Sequence, residues 1–127
     1  MVKVDGLKKY FQSRSAGFLG KPGVVRAVDG VSFSIEKGKT LGLVGESGSG
    51  KTTSARSALR LIEPDAGSVC VGDTEVTALK GEALRLFRRN MQIVFQDPFG
   101  SLNPRMTVGS IVSEPLRIHE KMSRGEL

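Results

Sequence analysis

Apolar and polar positions alternate in the first third of the chain. In the segment "VSFSIE", residues 31–36, every second residue is apolar, and this period predicts a half-buried β-strand. Residues 1–11 predict an earlier short strand, in which Asp5 and Gly6 would form a turn. The stretch between them, residues 12–23, is rich in Gly and Ser and predicts a loop. We therefore expect mainly antiparallel β structure in this part of the chain.

The pattern then changes to two compact apolar runs and to helical spacing. "TLGLVG" (residues 40–45) and "MQIVFQ" (residues 91–96) each predict a strand, the first buried on both sides as in a parallel sheet. Apolar positions after Lys51 predict a helix that ends at Pro64. A short strand between turns, a second helix from about Leu79, a loop and a third helix from Val108 complete the predicted order. Strands that alternate with helices favour an α/β fold.

Composition narrows the classes of protein. A chain of 127 residues is long enough for one compact domain and too short for two ordinary ones, and it has no run of roughly 18 apolar residues and no signal-peptide core. A cytoplasmic location is therefore expected. The net charge is +6, but the basic residues are spread out without interleaved aromatics, so no nucleic acid is expected as a partner. We expect Cys70 to be a small, buried or half-buried side chain without a disulfide partner. We expect His119 to be a solvated helix residue.

A glycine-rich loop, "LVGESGSGKTTSAR" (residues 43–56), carries the chemistry. The pattern G-x-x-x-x-G-K-[ST] is matched by Gly45, Gly50, Lys51 and Thr52, between an apolar run and a predicted helix. Glycines let the backbone wrap closely around phosphates, and amides at a helix N-terminus point toward them. The amides of residues 47–52 are expected to point inward.

The side chains of this loop have separate predicted tasks. Lys51 adds a positive charge for the β- and γ-phosphates, Thr52 offers a hydroxyl to Mg²⁺, and Thr53 can bond the α-phosphate. The loop therefore predicts a site for a nucleotide and Mg²⁺, and by itself it fits kinases, GTPases and ATPases alike.

Two longer segments carry a more specific resemblance. "VVRAVDGVSFSIEKGKTLGLVGESGSGKTT" and "MQIVFQDPFGSLNPRMTVGSIVSEPL" together closely resemble the ATP-binding subunit of ABC transporters, in the oligopeptide/dipeptide importer branch. The resemblance implies an α/β, P-loop NTPase core with an N-terminal antiparallel β subdomain and the start of a helical subdomain. It makes residues 1–127 the N-terminal part of a single nucleotide-binding domain, and therefore an incomplete domain. Its implied parts are residues 1–39 (mainly antiparallel β), 40–63 (the loop's strand and helix), 64–96 (β insert, helix and Q-loop strand) and 97–127 (the start of the helical subdomain).

The resemblance also implies roles for single residues. Tyr10 resembles the aromatic that stacks on adenine, with Phe11 as the competing candidate. Gln96 resembles the Q-loop glutamine, a catalytic residue that contacts Mg²⁺ and the attacking water. The implied metal contacts are Thr52 and Gln96. The implied nucleotide-binding set is Tyr10, Gly45, Glu46, Ser47, Gly48, Ser49, Gly50, Lys51, Thr52 and Thr53.

Partners follow from the same resemblance. Transmembrane permease subunits and a second ATP-binding subunit are implied, with the chain peripheral on the inner face of the cell membrane. Four apolar residues could dock on the permease or could equally be local core: Phe99, Leu102, Met106 and Val108.

Several family elements have no match in these 127 residues. There is no L-S-G-G-Q signature, no apolar strand ending in Asp-Glu, and no switch histidine. Asp97 could mimic the missing aspartate, but Gln96 and Pro98 beside it match the Q-loop. We therefore expect the chain to bind ATP and, by itself, to hydrolyse little or none.

Three functional readings remain open beside peptide import. The same family imports other cargo, such as nickel or glutathione. A P-loop kinase or an ATPase without a transport role belongs to another class. A truncated, non-catalytic nucleotide binder would show ATP affinity without turnover.

Overall fold

A computed structural model describes residues 1–13 and 23–120. The predicted loop at residues 12–23 falls largely outside these ranges. The strands are β1 (Val2–Ser13), β2 (Gly23–Ile35), β3 (Ala66–Val71) and β4 (Thr74–Glu75). The helices are α1 (Lys51–Ala58), α2 (Gly81–Phe87), α3 (Pro98–Ser101) and α4 (Val108–His119), with 3₁₀ turns at Val76–Ala78 and Arg88–Asn90. The chain forms two compact units, residues 1–80 and 81–127.

The first unit contains a four-stranded antiparallel sheet in the order β2-β1-β3-β4. In the central strand β1, Val4 pairs with Phe33 of β2 on one side and with Val69 of β3 on the other. The predicted antiparallel start of the chain is therefore confirmed. Asp5 and Gly6 do not form a turn, because β1 continues through them. The register shifts between Val4 and Leu7, where Gly6 has φ +56°, and such an irregularity bends a strand without ending it.

The core of this unit lies on one face of the sheet. It is formed by the buried side chains of Val4, Leu7, Val28 and Val69, with Ala58 of α1 packed against them. Each such aliphatic side chain stabilises the fold by about 1.5–3 kcal/mol when fully buried. Val31 and Phe33 of the alternating segment are partly buried against this cluster, and the contact of Ala58 with it holds the helix against the sheet.

Helix α1 is shorter than predicted. It ends at Ala58 instead of near Pro64, because Arg60 has the left-handed φ of +49° and its guanidinium is buried. Arg60 Nη1 donates to the carbonyls of Val76 at 2.7 Å and Leu79 at 2.6 Å. The fully buried residues of the helix are Ser54 and Ser57, while Ala58 is partly buried against the core.

Two predicted strands are absent from the described residues. The structure assigns no strand to residues 40–45 or 91–96, and the side chains of Val44 and Val94 are 94% and 95% exposed. A strand needs ladder hydrogen bonds from a neighbour, and in the described ranges no strand pairs with either segment. The prediction of a strand in each segment, the first buried on both faces, is therefore wrong for this structure.

The second unit is helical. Within it, Arg85 of α2 binds Glu82 at 2.8 Å and donates to the Ile118 carbonyl of α4 at 3.3 Å. The predicted helix from Val108 is confirmed, and Thr107 caps it by accepting the Ser110 amide at 3.3 Å.

Three smaller expectations have outcomes in the structure. A loop was predicted where α3 lies, and there the Asp97 carboxylate accepts the Gly100 amide at 3.1 Å. His119, predicted to be solvated, is half-buried at the end of α4. Cys70 in β3 is a free, half-buried thiol, as predicted.

Candidate functional site

The glycine-rich loop leads directly into the N-terminus of α1. The i→i−4 ladder of α1 begins with the Ser54 amide, which donates to the Gly50 carbonyl at 2.8 Å. The amides of Lys51, Thr52 and Thr53 therefore come before the first intrahelical bond and remain available to an anion. No acidic residue lies in the first turn, so the partial positive charge of the helix end is not offset there. This end of α1 is suited to phosphate.

The Lys51 ammonium is held over the loop by the loop itself. Its Nζ lies 2.6 Å from the Gly45 carbonyl, 2.5 Å from the Glu46 carbonyl and 3.4 Å from Ser49 Oγ. These contacts concentrate the charge at the place where the sequence predicts phosphates. The amide of Ser49 donates to the Glu46 carbonyl at 3.2 Å, so this amide closes a turn and does not match the predicted inward orientation.

Gly50 lies where the loop approaches strand β2 most closely. It has φ +91°, and a Cβ at this position would lie 2.2 Å from the Ala27 carbonyl oxygen. An L-residue with a side chain is disfavoured twice here, by backbone conformation and by contact. Glycine at this position therefore lets the loop and β2 form two walls of one cavity.

That cavity has a volume of about 280 Å³, close to the lower end of the range of ligand pockets. Six of the ten predicted nucleotide-binding residues line it: Gly48, Ser49, Gly50, Lys51, Thr52 and Thr53. Gly45 and Glu46 instead hold Lys51 through their carbonyls. Ser47 lies in the exposed turn of the loop. The loop residues are thus brought together largely as predicted.

The second wall of the cavity is strand β2, at Val25, Arg26 and Ala27. The sequence reasoning missed these residues, because a strand that faces a phosphate loop carries no motif of its own. The available signal was their place on a strand that precedes the loop and pairs with the aromatic-bearing β1.

Tyr10 does not line the cavity; it lies beside Arg26, its partner in the ladder between β1 and β2. The Tyr10 hydroxyl donates to Asp29 Oδ1 at 2.5 Å. This hydrogen bond raises the pKa of Tyr10 above its ordinary value and lowers the pKa of Asp29.

Arg26 completes this cluster on the sheet surface. Its guanidinium lies 5.7 Å from the centroid of the Tyr10 ring, and its Nη1 lies 3.4 Å from Asp29 Oδ2. Phe11, the competing aromatic, is 40% exposed and does not line the cavity either. The stacking of a base on Tyr10 therefore stays a prediction.

The remaining predicted residues belong to the second unit, which is described on its own. Gln96 is exposed, in the bend before α3. Leu102 and Val108 are 54% and 78% exposed and Met106 is half-buried, so the first two are not local core. The side chain of Phe99 lies outside the described part of the structure.

The loop offers few oxygen donors to a metal ion. Thr52 is exposed and presents one hydroxyl oxygen beside the cavity. Across the described ranges, no group of three or more His, Cys, Asp or Glu side chains could hold an ion. Mg²⁺ is commonly bound by substrate phosphates, waters and only one or two protein oxygens, and Thr52 fits that mode.

None of the helices at residues 1–13 and 23–120 has the length and apolar character of a membrane span.

Comparisons with known proteins agree on one family. The family model for ABC transporters matches residues 28–125. A probable peptide ABC transporter ATP-binding protein of Sinorhizobium fredii is 48% identical over 98% of this chain and 35% of its own length. The oligopeptide transport ATP-binding protein AppF of Bacillus subtilis is 48% identical over 99% of the chain and 39% of its own length. The chain thus spans between a third and two fifths of the length of these curated relatives.

A solved structure resembles the fold. The ATP-binding cassette MJ0796, determined as a dimer in a post-hydrolysis state bound to ADP and Pi, matches with a TM-score of 0.75 and 26% identity. The match covers 99% of this chain and 52% of that one. The α/β nucleotide-binding architecture is thereby confirmed, and the chain corresponds to about half of that cassette.

Proposed function

Because the chain belongs to the ABC transporter family, we propose that residues 45–53 bind the phosphates of ATP with Mg²⁺. We propose further that the chain is the N-terminal part of the ATP-binding subunit of a peptide importer. The names of the two curated relatives, a peptide and an oligopeptide transport protein, support this cargo over nickel or glutathione. A kinase or an ATPase without a transport role has no support from these relatives.

One observation carries the binding proposal. One cavity of about 280 Å³ brings together the Lys51 ammonium, the amides at the start of α1, and Gly50, whose position leaves no room for a side chain. Such an arrangement is complementary to a chain of phosphates, which needs many donors and close backbone approach. The same features serve no evident purpose in packing, because residues 45–49 are exposed.

Each residue of the site has a defined task in this proposal. Lys51 turns from the Gly45 and Glu46 carbonyls, or shares its three donors with them, to neutralise the β- and γ-phosphates. Thr53 bonds the α-phosphate, while Thr52 and Gln96 supply oxygen ligands to the metal. A Mg²⁺ ion held by these oxygens would supply positive charge against the charge that develops during phosphoryl transfer. Gln96 orients the attacking water.

The wider role rests on the family and on the relatives. We propose that the whole subunit couples ATP binding and hydrolysis to import, while it lies peripherally on the inner face of the cell membrane. Its partners are transmembrane permease subunits and a second ATP-binding subunit, identical or related. Leu102 and Val108 are candidates for the contact with the permease, since both are exposed apolar side chains.

The binding proposal is tested by Lys51→Met, with Lys39→Met as the matched control. Both residues are lysines in the first unit, but Lys39 lies in an exposed segment outside the cavity. Loss of the loop ammonium is expected to weaken binding of ATP-Mg²⁺ by about tenfold or more, since it removes charge-assisted contacts, whereas Lys39→Met binds as the parent does. Isothermal calorimetry gives the affinities, and circular dichroism shows whether each variant is folded. A folded Lys51→Met that keeps the parent affinity contradicts the proposal.

Turnover is measured separately as phosphate release. We propose that the 127 residues alone bind ATP and release little or no phosphate, because the carboxylate base and the signature motif are not among them. If the unsubstituted chain releases phosphate from ATP, and Lys51→Met abolishes this release, the proposal that the chain alone lacks turnover is contradicted.

A further inference from the structure

Helix α1 presents binding groups to the cavity, yet it has little apolar surface to hold it in place. Its fully buried residues are Ser54 and Ser57, and Ala58 makes its contact with the apolar core. Burial of such small side chains stabilises a helix only weakly, because the stabilisation grows with the apolar area removed from water. A helix of eight residues also has little stability of its own. The position of α1 therefore depends on other contacts.

The helix ends in a Schellman motif that carries an arginine where glycine is usual. The Arg60 amide donates to the Ser57 carbonyl at 3.0 Å. The Leu61 amide donates to the Arg56 carbonyl at 2.8 Å. These bonds place Arg60 at the left-handed position of the motif, where its φ of +49° is the one positive value among the described non-glycine residues. A residue with a Cβ persists in this conformation where surrounding contacts hold it, and such residues cluster at functional sites.

The guanidinium of Arg60 supplies these contacts. The side chain is only 7% exposed, and its Nη1 donates to the carbonyls of Val76 at 2.7 Å and Leu79 at 2.6 Å. Its Nε and Nη2 lie 3.2 Å and 2.6 Å from the carboxylate oxygens of Glu63. A guanidinium donates from a rigid planar fork, so these bonds fix direction as well as distance. They tie the end of α1 to the 3₁₀ turn at Val76–Ala78, which the Leu79 amide closes at 3.2 Å from the Val76 carbonyl.

The anchored end of α1 lies close to its binding end. Eight residues span about 12 Å at 1.5 Å per residue, and the amides of Lys51, Thr52 and Thr53 lie at the start of this span. A helix released at one end can tilt, and a tilt displaces amides that have to point at a phosphate. Arg60 therefore bears on phosphate binding, although it does not line the cavity.

We propose that Arg60 is a positioning residue for phosphate binding, which holds α1 so that its N-terminal amides point into the cavity. The inference rests on the proposed function, that the loop binds the phosphates of ATP. Anchoring and binding are then coupled in both directions, because a coupling free energy between two sites is reciprocal. Arg60 raises the affinity for phosphates, and bound phosphates protect the turn at Val76–Ala78 from opening.

Three variants of the full chain test this coupling. Arg60→Gly removes the guanidinium and introduces the residue that the left-handed position favours, so the helix end is kept. Arg60→Lys keeps the charge and can donate to the same carbonyls without the planar fork. Val4→Ala is the control for a general loss of stability, because Val4 is 1% exposed in the core and does not line the cavity. Calorimetry measures binding of ATP-Mg²⁺ and of inorganic tripolyphosphate, and circular dichroism gives the folded fraction.

The affinities are expected to follow the anchor. Arg60→Gly weakens binding of both probes by about fivefold or more, which is where couplings between sites typically begin. The two probes change together, because the anchor acts on the groups that bind phosphate. Arg60→Lys recovers part of the affinity, and Val4→Ala binds both probes as the parent does once its folded fraction is counted.

Hydrogen exchange of the Leu79 amide gives a second readout. Tripolyphosphate is expected to slow this exchange in the parent more than it slows exchange of the Gly72 amide. The Gly72 amide is the matched control, because it donates to the Met1 carbonyl at 2.8 Å, outside the contacts of Arg60. In Arg60→Gly the additional protection of Leu79 is lost.

Three results overturn the inference. A folded Arg60→Gly with the parent affinity would leave the guanidinium with a role in stability alone. Equal weakening by Val4→Ala would make the effect a general one, and equal protection of Leu79 in the parent and in Arg60→Gly would remove the coupling. A failure of the proposed function differs from all three, because the unsubstituted chain would then bind neither ATP nor tripolyphosphate.

Discussion

Replacement of Gly50 by alanine tests whether the loop and β2 are held together by a contact that excludes any side chain. Gly50 has φ +91°, and its added Cβ would lie 2.2 Å from the Ala27 carbonyl oxygen. Real Cβ atoms essentially never approach a neighbour closer than 3.0 Å. The loop and the strand must therefore separate, at the place where they wall the cavity.

The expected cost has two parts. The left-handed conformation costs an alanine about 1–2 kcal/mol relative to glycine. The forced contact with backbone costs about 1–3 kcal/mol more, as overpacking does in cores, because β2 is fixed by its pairing with β1. The free energy of unfolding should fall by about 2–5 kcal/mol in total.

Two glycines of the same unit separate these parts. Gly48 (φ +82°) and Gly38 (φ +75°) share the left-handed conformation, but nothing lies within 4 Å of a Cβ added to either. Gly48→Ala and Gly38→Ala should therefore lose only about 1–2 kcal/mol. Urea denaturation followed by circular dichroism gives all three values. If Gly50→Ala is no less stable than these two controls, the contact with Ala27 does not constrain the loop.

Three further predictions concern the first unit. Arg60→Met leaves the Val76 and Leu79 carbonyls without the donor that lies 2.6–2.7 Å away, so urea denaturation should show a loss of about 2–4 kcal/mol. Glu63→Gln changes only the partner whose side chain is 64% exposed and keeps both carbonyl bonds, so it should lose about 1 kcal/mol; equal losses would refute the assigned role. Ser57 is fully buried and its hydroxyl has no partner in the described part of the chain, so Ser57→Ala should raise the free energy of unfolding by about 1 kcal/mol, and a decrease would contradict this. The amide of Tyr10 and then the Lys9 ammonium lower the pKa of Asp65 below its ordinary 3.8, so this stabilisation is present above pH 3.8 and is lost as the pH falls through the lowered pKa; acid unfolding of Asp65→Asn should lack this component, and identical pH profiles would exclude it.

The elements that the sequence predicted well are those with local signals. Alternation identified β2, and the G-x-x-x-x-G-K-[ST] spacing placed the start of α1 at Lys51. The apolar runs at 40–45 and 91–96 failed as strands because a strand depends on a neighbour that its own residues cannot specify. Arg60 was missed for a similar reason, since its left-handed backbone is maintained by carbonyls 16 and 19 residues further along.

The two walls of the candidate site differ in the same way in how far the sequence predicts them. The loop wall consists of contiguous residues, and these six are among the ten that the sequence predicted. The β2 wall follows from the sheet, in which Val25 and Arg26 pair with β1. The family resemblance offered Tyr10 as the base contact, and the structure places its ladder partner Arg26, not Tyr10, at the cavity. Long-range register is the information that one-dimensional patterns lack.

The close approach of Gly50 to Ala27 has a consequence for protein engineering. The cavity exists only where two stretches of chain, separated by more than twenty residues, are both folded. A synthetic peptide that carries the loop and α1 alone would have one wall, so the site cannot be transplanted as a linear cassette. Conversely, any compound that fills the cavity holds the sheet and the helix together and raises the melting temperature by mass action. Thermal shift is therefore a direct screen for occupants of this site, without labels and without turnover.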